Sequence, residues 1–212
     1  MLEQEYHVHS RRKYLMIASG IVLTFVAAYI FTTLGMKDAA MFQTAEAVTR
    51  YFDGTLDGGA DTAMNKIILL LRLPRVLLAI IAGAGLALAG ALMQSVTRNY
   101  LVSPFTLGIS AAAALGASLC IVLAAGTALD SDLGIITSAF LLSCVCGIIV
   151  YGIARRSGLS PTTIVLVGIA LNYFFSALTA TLEFFAQEHK LAAAIQWTFG
   201  SLHRASWEYV AI

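Results

Sequence analysis

Charge is what this sequence has least of. Only 12% of its 212 residues are Asp, Glu, Lys or Arg, while 59% are apolar and mean hydropathy is +0.83. A soluble domain is about 25% charged. Thirteen basic and twelve acidic residues leave a formal charge of +1, which excludes a broad nucleic-acid-binding field. The charges are also bunched. Residues 14–36, 76–97, 99–129, 133–154 and 157–182 carry none, and each run is at least 22 residues long. A bilayer crossing needs about 20, so a water-soluble fold is excluded.

Cysteine and proline are scarce too, with three of each. Cys120, Cys144 and Cys146 lie inside apolar runs, and C-V-C is not the spacing of a zinc or redox pair. They read as small hydrophobes, and no disulfide framework is implied. The sequence has no G-x-x-x-x-G-K-[ST] phosphate loop. If ATP drives this protein, another polypeptide binds it. The apolar runs hold no carboxylate, which argues against a proton- or sodium-coupled carrier. Glu183, Glu188 and His189 come nearest to a metal cluster, but they follow the fifth run and read as a solvated helix end. No catalytic residue, bound cofactor or metal site is expected.

What is present is a series of spans. Residues 1–13 form a polar tail, and 14–212 form one transmembrane domain with spans at about 14–34, 76–96, 105–125, 133–153 and 161–185. The first run is too long for a signal peptide and lacks a small-x-small cleavage site, so it reads as an uncleaved helix. Between the first two spans, 38–52 could form a short amphipathic helix and D-G-T-L-D-G-G at 53–59 a turn. The stretch 67–74 reads as an interfacial lead-in interrupted by Arg72 and stopped by Pro74. Continuous apolar runs, without strict alternation, select helices over a barrel. The fold class is therefore all-α: a polytopic bundle of five spans plus the start of a sixth. Arg11, Arg12, Lys13, Arg98, Arg155 and Arg156 fall on the side with few acids, which favours a cytoplasmic N-terminus.

Small residues recur at helical spacing, at Gly83, Ala87 and Ala91 and again at Gly108, Ala112 and Gly116. Such stripes let helix backbones approach closely. Gln94 and Asn172 are polar groups within or at the end of spans, where interhelical hydrogen bonds are the expected use.

Residues 72–110 read R-L-P-R-V-L-L-A-I-I-A-G-A-G-L-A-L-A-G-A-L-M-Q-S-V-T-R-N-Y-L-V-S-P-F-T-L-G-I-S. This string resembles the FecCD/BtuC-type permeases, the membrane subunits of importers for iron–siderophore complexes, haem and vitamin B12. The match runs through Arg72, Pro74 and Arg75, then Gly83, Leu86, Ala87, Gly90 and Gln94. It continues through Arg98, Asn99, Leu101, Pro104, Leu107, Gly108 and Ser110. Tyr100 stands where the family usually has proline, and Ala112 where it usually has glycine. Segments 159–179 and 197–207 resemble the family's fifth helix and the start of its sixth.

The resemblance implies the N-terminal half of a ten-helix importer permease, so the chain is expected to be a portion of a longer subunit. It implies a bacterial inner-membrane location, a second permease subunit, two cytoplasmic ATPase subunits and a periplasmic or lipid-anchored binding protein. The cargo implied is a ferric siderophore or similar iron chelate, with vitamin B12 or haem as the alternative. A non-transporting, truncated or structural membrane protein is the reading from another class. Carried over by position, the fifth helix offers Leu171, Asn172, Phe175, Ser176 and Thr179 as candidate pathway residues.

Overall fold

The computed structural model describes residues 2–33, 66–124, 127, 131–158, 160–203 and 205–211. The helix and turn expected at 38–52 and 53–59 lie outside these. The described residues form seven α-helices and one π-helical turn, with no strand among them: α1 (Leu2–Thr33), the π turn (Ile67–Arg72), α2 (Leu73–Thr97), α3 (Ile109–Leu123), α4 (Asp132–Arg156), α5 (Pro161–Phe184), α6 (Glu188–Phe199) and α7 (Trp207–Ala211). Among the described residues, four stretches are long and apolar enough to cross a bilayer: Arg11–Thr32, Ile67–Thr97, Asp132–Arg156 and Pro161–Phe184.

Three boundaries depart from the sequence reading. The tail before Tyr14 is helical and continuous with α1, because no proline or glycine interrupts the chain before Gly20 and Arg and Lys are good helix formers. Pro74 does not stop the second helix. A proline lacks an amide N–H and its ring clashes with the carbonyl four residues back. The chain answers by widening: Leu73 N–H donates to Ile68 O, five residues back, and α2 continues to Thr97. The third span, expected over 105–125, is a helix only from Ile109 to Leu123. Residues 104–108 form turns that end at Gly108, whose φ of +76° no β-carbon tolerates cheaply.

The chain divides into two compact units, Met1–Gly83 with Leu202–Ile212, and Ala84–Ser201. In the second, α3 is the hub: it packs against α4, α5 and α6, while α4 also packs against α5. The core there is Ala112 and Leu115 of α3, Cys146 and Val150 of α4 and Phe175 of α5. Gly116 makes the α3–α4 contact possible, since a β-carbon at this position would stand 2.5 Å from Ser138 O. Hydroxyls then join the two backbones. Ser138 Oγ donates to Gly116 O at 2.7 Å, and Ser143 Oγ reaches Ile109 O at 3.3 Å. At the far end of α3, Lys190 Nζ donates to Val122 O at 2.7 Å, placing a cation on the negative end of the helix dipole. α4 opens on a Ser131 cap, whose Oγ accepts from Gly134 N–H, and Pro161 takes the first position of α5.

Candidate functional site

The R-L-P-R motif acts on backbone within the first unit. Arg72 donates to Thr32 O at 3.3 Å, holding a carbonyl in the last turn of α1. Pro74, almost fully buried, has a second consequence. Leu69 O loses both of its possible helical donors, because Leu73 N–H is committed to Ile68 and residue 74 has no N–H. The orphaned carbonyl is satisfied from the other end of the sequence, by Trp207 Nε1 at 3.0 Å. Leu69 is 3% exposed, so an unmet carbonyl there would cost about 1–3 kcal/mol. Two of the sequence motifs are thus one structural device. Arg75 is half-buried, and its Nε has no partner among the described residues.

The R-N-Y-L-V-S-P-F-T-L-G string forms the α2–α3 connection in the second unit. Arg98 adopts a left-handed φ of +49° and Asn99 N–H returns to Gln94 O, a Schellman-type closure with arginine in the place usual for glycine. Asn99 Oδ1 accepts from Leu101 N–H at 2.9 Å, and Gln94 Nε2 donates to Tyr100 O at 3.2 Å. Ser103 and Thr106 bond reciprocally: Ser103 N–H to Thr106 Oγ1 at 3.0 Å, and Thr106 Oγ1 to Ser103 O at 2.8 Å. Pro104 and Ser110 are half-buried on either side of the buried Gly108.

This connection does not stay at the surface. Leu107 O accepts from Cys146 Sγ, ten residues inside the end of α4. Glycines meet at the same depth: a β-carbon on Gly108 would stand 2.8 Å from Asn172 N, and one on Gly168 2.7 Å from Leu107 Cα. Gly168 lies seven residues into α5, roughly 10 Å along its axis. Non-helical backbone at membrane depth has to be satisfied locally or face water, and the side-chain bonds of Asn99, Ser103 and Thr106 supply the local partners.

The five α5 candidates separate by exposure. Phe175 is 6% exposed in the core, and Leu171 packs against it. Asn172 is half-buried beside Gly108, and its side chain makes no hydrogen bond among the described residues. Thr179 Oγ1 donates to Phe175 O of its own helix, and Ser176 is exposed. Among the described residues the interhelical bonds expected of Gln94 and Asn172 do not form: Gln94 serves its own loop, and the backbone of Asn172 receives Gly108. Gly83 and Gly90 on α2 face open space. No group of three metal-ligating side chains occurs among the described residues. Sequence reasoning missed Ser138, Lys190 and Leu69, whose roles depend on partners 22, 68 and 138 residues away.

With its motif residues spent on helix ends and close helix contact, the chain has an all-α, multi-pass membrane fold. The chain belongs to the FecCD transport family, whose model matches residues 20–212. It is 32% identical over 219 residues to a permease protein of Methanocaldococcus jannaschii assigned to the ABC transporters, covering 100% of this chain and 60% of that protein. It is 31% identical over 201 residues to the iron(3+)-hydroxamate import system permease protein FhuG of Bacillus subtilis, covering 92% and 57%. A solved structure of an ABC transporter assigned to the metal-chelate type, in an inward-facing conformation, superposes with a TM-score of 0.72 at 28% identity. That match covers 93% of this chain and 57% of the other. The chain therefore spans a little over half the length of these relatives.

Proposed function

We propose that the protein is the permease subunit of an ATP-binding-cassette importer carrying a ferric siderophore or similar iron chelate across the bacterial inner membrane. The observation that carries this reading is the relationship to an iron(3+)-hydroxamate permease over 92% of the chain, together with the metal-chelate type of the structural neighbour. The subunit does no covalent chemistry. A second permease subunit completes the pathway, two cytoplasmic ATPase subunits hydrolyse ATP, and a periplasmic or lipid-anchored binding protein delivers cargo. Cargo and nucleotide shift the access equilibrium only through different affinities for its states.

The N-terminus is cytoplasmic in this reading. Its support is a charge asymmetry: Arg98 follows the end of α2 and Arg155 and Arg156 lie in the last turn of α4, whereas Asp132 starts α4 and Glu183 lies in the last turn of α5. The pathway runs along α5. Ser176 is its open polar group, Asn172 and Thr179 flank it, and Leu171 and Phe175 brace the helix from the core side. The test is ATP hydrolysis by the complete complex in proteoliposomes. Binding protein loaded with ferric hydroxamate is expected to stimulate it several-fold over unloaded binding protein. Equal rates with and without the chelate would sink the assignment.

A further inference from the structure

The C-terminal end of α4 carries an open-sided groove of about 640 Å³, lined by Ile149, Gly152, Ile153, Arg155 and Arg156. Arginines at a helix C-terminus usually need no further account, because they offset the dipole and bond the last carbonyls. Two of those carbonyls, Ala154 O and Arg155 O, are already taken here. Ser157 N–H donates to Ala154 O at 3.1 Å, and Gly158 N–H, at a φ of +69°, donates to Arg155 O at 3.4 Å. Both guanidinium groups are exposed, and neither has a hydrogen-bond or ion-pair partner among the described residues. Along α4 and α5 the acidic side chains lie at the opposite ends. Asp132 opens α4, 23 residues before Arg155, which is roughly 35 Å of helix. Glu183 lies in the last turn of α5, at the opposite end from Pro161.

Below the cations the groove is aliphatic. A β-carbon on Gly152 would have nothing within 4 Å, so the glycine forms an open floor between Ile149 and Ile153. From Ile149 to Arg155 the helix rises roughly 9 Å. Since α4 is one of the helices long and apolar enough to span a bilayer, its last turn lies at a membrane surface. Two cations with no partner among the described residues, above an aliphatic strip of α4, match a molecule with an anionic head and a hydrocarbon chain. Guanidinium groups bind phosphate oxygens through paired, charge-assisted hydrogen bonds.

We propose that this groove holds one anionic phospholipid of the adjacent leaflet, its phosphate at Arg155 and Arg156 and an acyl chain along Ile149, Gly152 and Ile153. The inference does not depend on the cargo, so it stands or falls separately from the transport reading.

The test is native mass spectrometry of the full-length subunit in its assembled complex, incubated with phosphatidylglycerol or phosphatidylcholine of identical acyl chains. One phosphatidylglycerol per subunit is expected, favoured about twenty-fivefold over phosphatidylcholine at roughly fivefold per basic residue. Arg155→Gln with Arg156→Gln should abolish the preference. Gly152→Phe keeps both charges but fills the floor, and should displace the lipid. Arg155→Lys with Arg156→Lys should retain most of the preference, which separates loss of charge from loss of fold. Inorganic phosphate should not compete. Equal retention of both lipids, phosphatidylglycerol surviving the double glutamine variant, or displacement by inorganic phosphate would each overturn the proposal. So would finding the arginine pair cross-linked to an acidic surface of the ATPase subunit.

Discussion

Two stripes of small residues share the same spacing and have opposite fates. Gly108, Ala112 and Gly116 are buried against α5 and α4. Gly83, Ala87 and Ala91 on α2 are exposed, and a β-carbon on Gly83 would meet nothing within 4 Å. Spacing alone therefore marks a surface that permits close approach. What turns permission into contact is the facing helix. α4 brings Ser138 and Ser143, whose hydroxyls donate to α3 carbonyls, and α5 brings Gly168, which removes its own obstruction.

The largest effect should come from closing the packed stripe. Gly116→Val forces a side chain against the Ser138 backbone, which cannot swing aside, and should destabilise the subunit by about 3 kcal/mol or more. Thermal unfolding of the purified protein measures this, and a neutral result would show that α3 and α4 do not meet as described. Next is the backbone repair in the other unit. Trp207→Phe strands Leu69 O and should cost about 2 kcal/mol. In a Pro74→Ala background the chain regains an amide at position 74, so the same substitution should cost clearly less, and the cycle reports the coupling directly. On the open stripe, Gly83→Ala should stabilise by up to about 1 kcal/mol through helix propensity. A loss instead would show that another surface closes over α2 and that the two stripes are equivalent. The smallest effect is Ser138→Ala, at about 0.6 kcal/mol, the average worth of a hydrogen bond between membrane helices.

The same contrast explains what the sequence made legible. Uncharged runs announce helices directly, and four of the five coincide with helices long enough to cross a membrane. The fifth misleads. Its first residues, 99–108, are as uncharged as the rest but carry Asn99, Ser103, Thr106 and Gly108, which fold the chain on itself before α3 begins. Pro74 misleads in the opposite direction, because its helix survives by widening one turn and borrowing an indole 138 residues away. Family motifs located the residues that matter here without showing what each one does. Arg72 closes a helix end, Gly108 admits Asn172, and Phe175 is a core residue on a helix carried over for its pathway. Such roles belong to pairs of distant segments, which no local pattern contains.

The proposed function makes this chain part of an iron-chelate permease. Uptake of radiolabelled ferric hydroxamate by whole cells, with and without the intact gene, tests it most directly. Energy-dependent uptake is expected, lost on deletion and restored by the wild-type gene, with vitamin B12 uptake unchanged. Undiminished iron-chelate uptake in the deletion strain, or loss of B12 uptake alone, would contradict it.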